Sequence, residues 1–238
     1  MRKISERLKK EAGSTISRNK LGRIMQRLKN SLKILIISIA GILVPFTAHS
    51  GTLNKHFIKV AEYGCPEAHQ GVAVDDTFFY AIGTREIGKY EKDTGRLAQK
   101  WQEKEDGPII HLDSGMIFNG ILYAAHSNYP GLPMTSSVEM WDTETLKHVG
   151  THSFGIRWGS CTWIDRKADH WWAVFAHYDK FAKEINKDNS WTTLVKFDDR
   201  WQYLQFWVFP DTLINKFKPM SNSGGSWGAG RKTLLHRS

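Results

Sequence analysis

Between residues 65 and 228 hydrophobic positions fall in short runs broken by polar turns, and one arrangement comes round three times. Its first copy reads Val72-Ala73-Val74, then Phe78-Phe79-Tyr80-Ala81-Ile82, then Ile87-Gly88-Lys89-Tyr90 and the turn Lys92-Asp93-Thr94-Gly95. The second runs through His111-Leu112-Asp113-Ser114-Gly115, Ile121-Leu122-Tyr123-Ala124-Ala125-His126 and Val138-Glu139-Met140-Trp141-Asp142. The third runs through Cys161-Thr162-Trp163-Ile164, Trp171-Trp172-Ala173-Val174-Phe175 and Leu194-Val195-Lys196-Phe197-Asp198. Tyr80, Tyr123 and Trp172 fall into alignment, as do Tyr90, Trp141 and Phe197. Runs this short, aromatic and β-branched, bounded by Gly, Asp, Asn and Thr, predict strands rather than helices.

Self-similarity at a period in the forties, with several strands per copy, is the pattern of β-propeller blades. The sequence therefore predicts an all-β fold over 51–228, an incomplete propeller of about three blades plus the start of a fourth at Ser221–Gly228. A lead-in strand is expected at Phe57–Val60, blade-closing strands at Arg96–Trp101, Leu146–Phe154 and Tyr203–Phe209, and inserted loops at Ser127–Met134 and Tyr178–Trp191. Within the second loop Phe181–Asn186 suggests one helical turn. A brief helix is expected over Asp211–Phe217, capped by Asp211. The basic tail 229–238 resembles no preceding strand and is expected to lie outside the repeat without regular structure. A ring without free sheet edges needs at least about four blades. Three and a fraction therefore read as a shortened reading frame, or as an open arc that self-associates through its blade edges.

Charge changes the picture of partners. Residues 1–33 hold eleven Lys and Arg against two Glu, which accounts for the whole formal charge of +9. Residues 51–238 carry 22 basic and 22 acidic side chains. A folded part with no excess charge argues against a nucleic-acid partner. The basic segment runs into the apolar stretch Ile34–Val44, shorter than the roughly 20 residues of a membrane span, and then Ala48-His49-Ser50. Residues 1–50 thus read as a basic n-region and signal peptide, with Met25 as the expected start, or as an uncleaved anchor helix, the one expected contact with a membrane. Either places the domain outside the cytoplasm, periplasmic or extracellular. Cys65 and Cys161 open non-adjacent units, so unpaired thiols are expected over a disulfide.

Equivalent positions of successive blades meet near a propeller's axis, so repeated polar residues are the candidates for chemistry. His69 and His111 precede the first strand of their units, and His126 and His177 end the second. Four imidazoles converging there would bind a divalent metal or supply a catalytic general acid and base. Asp113 and Asp179, each two residues past a histidine, would orient it or, for Asp113, join the metal ligands. The competing expectation is that these histidines bond blade backbone. The tryptophans Trp158, Trp163, Trp171, Trp172, Trp201, Trp207 and Trp227 are expected in the packing between blades. Tyr129 and Asn128 would rim a pocket. No Gly-x-Ser-x-Gly or phosphate-loop pattern occurs.

The segments Gln70–Gly83 with Ile87–Leu97, Ser137–Phe154 and Ser221–Gly228 resemble six-bladed propellers of the lactonase, gluconolactonase and strictosidine-synthase type, and exported bacterial proteins of that architecture. The resemblance covers about 65–228 and implies a small polar metabolite, such as a lactone, acted on by hydrolysis or isomerisation at the channel mouth. In lactonase members it also implies a divalent metal held by Glu, Asn and Asp, and no matching set maps onto this chain. A non-catalytic propeller binding a ligand or protein in the cell envelope, and a fragment without function, are the alternatives.

Overall fold

The computed structural model describes residues 59–227 and the backbone of 234–237. The signal, the Met25 start and Phe57–Ile58 lie outside the described residues. Lys59 and Val60 are not in a strand.

Three antiparallel four-stranded sheets follow one another along the chain, each a simple meander. The first holds β1 (Gly71–Val74), β2 (Phe78–Ile82), β3 (Glu86–Glu91) and β4 (Leu97–Gln102). The second holds β5 (Leu112–Phe118), β6 (Ile121–Ser127), β7 (Ser136–Asp142) and β8 (His148–Gly155). The third holds β9 (Ser160–Lys167), β10 (His170–Ala176), β11 (Thr193–Phe197) and β12 (Tyr203–Val208). A two-stranded sheet follows, β13 (Gly224–Trp227) with β14 (Leu234–Arg237). The tail expected outside the repeat thus contributes a strand to a fourth unit.

The leading strands are neighbours in succession, β1 against β5, β5 against β9 and β9 against β13. Outer strands β4 and β12 are exposed along most of their length, whereas β6 and β10 are largely buried. Such an arrangement, inner strands together and outer strands in solvent, is propeller-like. The register bears out both aromatic alignments. Phe79 pairs with Tyr90, Leu122 with Trp141 and Trp171 with Phe197, which sets Tyr80, Tyr123 and Trp172 at one equivalent position.

Apolar residues fill the two spaces between sheets. Ala73, Tyr80, Ile82, Ile87, Leu112, Leu122 and Trp141 form one core. Ala125, Val138, Cys161, Ile164, Trp171, Phe175, Val195 and Phe197 form the next. Trp163 and Trp171 are buried, Trp158 and Trp201 pack against the second core, and Trp171 stacks on Trp201 at 4.5 Å. The inner strands approach closely enough that a Cβ on Gly71 would sit 2.7 Å from the Cα of Ser114, so only glycine fits there.

Two local expectations are corrected. Phe181–Asn186 forms no helical turn, because Phe181, Ala182 and Asn186 take φ values of +44°, +45° and +62°, in the left-handed region. The helix α1 (Asp211–Phe217) is present, but Pro210 is its N-cap and Asp211 lies in its first turn, where a carboxylate suits the positive helix end. Cys65 and Cys161 are both free thiols. Among the described residues no helix is long and apolar enough to cross a membrane.

Candidate functional site

Counting outward from the paired alanines locates the residues that meet at the top of the inner strands. Ala81 pairs with Val72, Ala124 with Gly115 and Ala173 with Ile164. Two residues before these partners stand Gln70, Asp113 and Thr162, and Asn222 precedes β13. All four line one cavity of about 350 Å³, together with His111, Tyr129 and Tyr178. Gln70 Nε2 donates to Thr84 Oγ1 at 3.3 Å and Thr162 Oγ1 donates to Asn222 Oδ1 at 3.4 Å. Ser114 Oγ donates to the carbonyl of Thr162 at 3.0 Å, tying β5 to β9 below them. These residues frame the mouth of that cavity.

Asp113 is the unusual member. It is 4% exposed, and its carboxyl has no hydrogen-bond partner among the described residues; Nε2 of His111 lies 3.8 Å away. Burial pushes its carboxyl well above the usual carboxylate range. Burial also lowers the pKa of His111. Burial thus shifts the pair toward a protonated carboxyl beside a neutral imidazole. His111 packs on Tyr129 (5.0 Å), and Tyr129 on Tyr178 (5.2 Å), so the loop after β6 forms one wall, as its composition suggested. Asn128 holds that loop by donating to the Pro133 carbonyl and accepting from the Thr135 N–H.

The other predicted histidines do not join this site. His69 is exposed in the turn before β1 and is equivalent to Leu112 rather than His111. His126 lies in β6 opposite Leu112, whereas its register equivalent in the third sheet is Phe175, opposite Cys161; His177 follows the end of β10. His126 Nε2 accepts from the Ile110 N–H at 3.1 Å, which puts its proton on Nδ1, 2.8 Å from Ser137 Oγ. His177 Nε2–H donates to the Trp158 carbonyl at 2.9 Å. Both thus fasten the backbone two residues ahead of an inner strand, which is the structural role that was the competing expectation. Asp179 does not orient His177; it accepts from the Asn189 N–H at 3.0 Å. Glu184 instead lies 3.2 Å from His177 Nδ1, without hydrogen-bond geometry.

Among the described residues no three His, Cys, Asp or Glu side chains come together as metal ligands, so His69, His111, His126, His177 and Asp113 are not gathered at one point. Of that set, the structure brings together only His111 and Asp113 at the mouth. Gln70, Thr162 and Asn222 were missed. For Gln70 and Thr162 the signal was register: each stands at the position of Asp113 in its own unit.

No family model matches the chain, and no curated protein matches it. Among solved structures, the computationally designed Ika4 protein aligns at 12% identity and a TM-score of 0.43, over 76% of this chain and 98% of its own. U3-55K aligns at 11% and 0.43, over 73% of this chain and 52% of its own. Hydrazine synthase of Kuenenia stuttgartiensis aligns at 8% and 0.47, over 76% of this chain and 45% of its own. The chain spans about half the length of the last two. Likenesses this loose carry no argument about function, which rests on the residues themselves.

Proposed function

We propose that this is an exported propeller-like enzyme that binds a small, uncharged, oxygen-rich metabolite at the channel mouth and opens or isomerises it by acid–base chemistry. The observation that carries the reading is Asp113: a buried carboxyl without a hydrogen-bond partner, lining a cavity, with His111 at 3.8 Å. An unpartnered buried polar group is costly, and such groups collect where a ligand completes them. A protonated carboxylic acid donates a hydrogen bond, or a proton, to a carbonyl or ring oxygen. The neutral His111 accepts a proton from an attacking water or from a carbon acid next to that carbonyl. The step is balanced: Asp113 loses the proton that the substrate oxygen gains, and His111 holds the one released. A lactone suits this pair because it is neutral, whereas a carboxylate substrate would meet an acid with no cation to offset its charge. Gln70, Thr162 and Asn222 would orient the ring through its remaining oxygens.

The test is hydrolysis of γ-butyrolactone and glucono-δ-lactone by the purified full chain, followed by acid release. Asp113→Asn, which keeps shape and burial, is expected to lower the rate at least a hundredfold, in the range of a lost general acid. Equal rates for wild type and Asp113→Asn, or no ring opening of either lactone, would discard the enzymatic reading. Export is tested separately by the N-terminal sequence of the protein recovered from cells; a mature chain starting near Gly51 is expected.

A further inference from the structure

A larger cavity, about 470 Å³, lies away from the mouth, between the chain leaving the first sheet and the outer half of the second. Its size is within the range of small-molecule sites. One wall is apolar, made by Trp101, Pro108 and Ile109. The facing wall carries hydroxyls from β7, β8 and the residue before β7, those of Thr135, Ser136, Ser137, Thr151 and Ser153. Ser136 is 3% exposed and its Oγ has no hydrogen-bond partner, so a buried donor and acceptor lines the cavity with nothing to pair it.

The charges on these walls are already satisfied, and that decides what fits. Glu139 Oε1 accepts from Ser137 Oγ at 2.6 Å, and its Oε2 accepts from Thr151 Oγ1 at 2.5 Å and sits 2.8 Å from His148 Nε2. Glu103 accepts the backbone N–H groups of Lys104 and Ile109, at 2.9 and 3.2 Å. An ammonium ligand would find both carboxylates occupied by donors. An anion would face two carboxylates. Ser137 is not a nucleophile here, because His126 donates to it instead of accepting its proton. What remains is a neutral ligand with C–H surface for the Trp101 side and hydroxyls for the other, since a hydroxyl both gives to and takes from Ser136.

We propose that this cavity binds a small uncharged polyol of monosaccharide size. The proposal is independent of the acid–base reading of the mouth. The test is saturation-transfer NMR on the full chain with D-glucose and D-galactose as probes and with methylammonium and acetate as charged controls. Ring protons of at least one sugar are expected to receive saturation at millimolar concentration, with neither charged control doing so. Ser136→Ala is expected to weaken that binding about fivefold, the loss of one hydrogen bond. Thr135→Val, at a more exposed position, is expected to weaken it as well and serves should Ser136→Ala fail to fold. Asp113→Asn should leave it unchanged. Saturation of neither sugar, preference for a charged control, survival of full binding in both β7-side variants, or its loss in Asp113→Asn alone would overturn the proposal.

Discussion

Gly159 takes φ of +114°, and a Cβ there would meet Nε2 of His177 at 2.7 Å and the Ala176 carbonyl at 2.8 Å. One of those neighbours is backbone and the other is the imidazole that fastens Trp158, so neither gives way easily. Gly159→Ala is expected to cost about 1–3 kcal/mol in denaturant unfolding, from strain alone. Titration acts in two opposite directions. Burial lowers the pKa of His111, His126, His152 and His177, so the unfolded chain takes up protons first as pH falls. Stability from these four is complete above about pH 6.5 and drains away below it. A falling melting temperature from pH 7 to 5 is the measurement. Asp113 has the reverse sign: its raised folded value means stability is full below about pH 4 and declines as pH rises from there towards that value. Asp113→Asn should therefore melt higher than wild type at neutral pH, and the difference should vanish on acidification.

Each sheet turns from its third to its fourth strand through an acid that directly follows the aligned aromatic, namely Glu91, Asp142 and Asp198. Asp142 Oδ1 accepts from the N–H and the hydroxyl of Thr145, at 2.8 and 2.7 Å; Asp198 Oδ1 accepts from the N–H groups of Arg200 and Gln202, at 2.9 and 2.7 Å. Asp142→Ala is expected to lower the denaturation midpoint slightly, without affecting the cavities. The aromatics and turns could be read from the chain because strand alternation fixes them. The histidines could not, for a definite reason. The pairing shifts between Leu112 and Gly115 in β5 and between Val174 and Phe175 in β10. Each shift puts the extra residue in the leading strand, β5 or β9, so β6 and β10 stay in step and His126 matches Phe175. His177 stands two places further on, beyond the end of β10, and only its likeness as a strand-end histidine sets it against His126. Glu139, His148 and Thr151 were equally hidden, since only the β7–β8 pairing shows that they share a face.

The sheets hold together through apolar interlayers that draw on both neighbours. Trp141, fully buried, belongs to the core between the first and second sheets and meets Trp101 of the first sheet edge-on at 4.9 Å. Trp141→Ala is expected to cost about 3–5 kcal/mol, and far more than the exposed Trp207→Ala, in chemical denaturation. Polar ties run beside this packing: Lys89 Nζ in the first sheet donates to the Thr143 carbonyl of the second at 2.7 Å and lies 4.2 Å over the Phe78 ring. Stability thus resides in the interlayers, while the ends of the inner strands bring Gln70, Asp113, Thr162 and Asn222 to the mouth beside His111, Tyr129 and Tyr178. Gln70, Asp113, Thr162 and Asn222 stand apart from those interlayers, like interchangeable keys on a common board. Selectivity at the opening can therefore be rewritten one position at a time, Thr162→Asn or Gln70→Glu for instance, while the scaffold beneath keeps its shape.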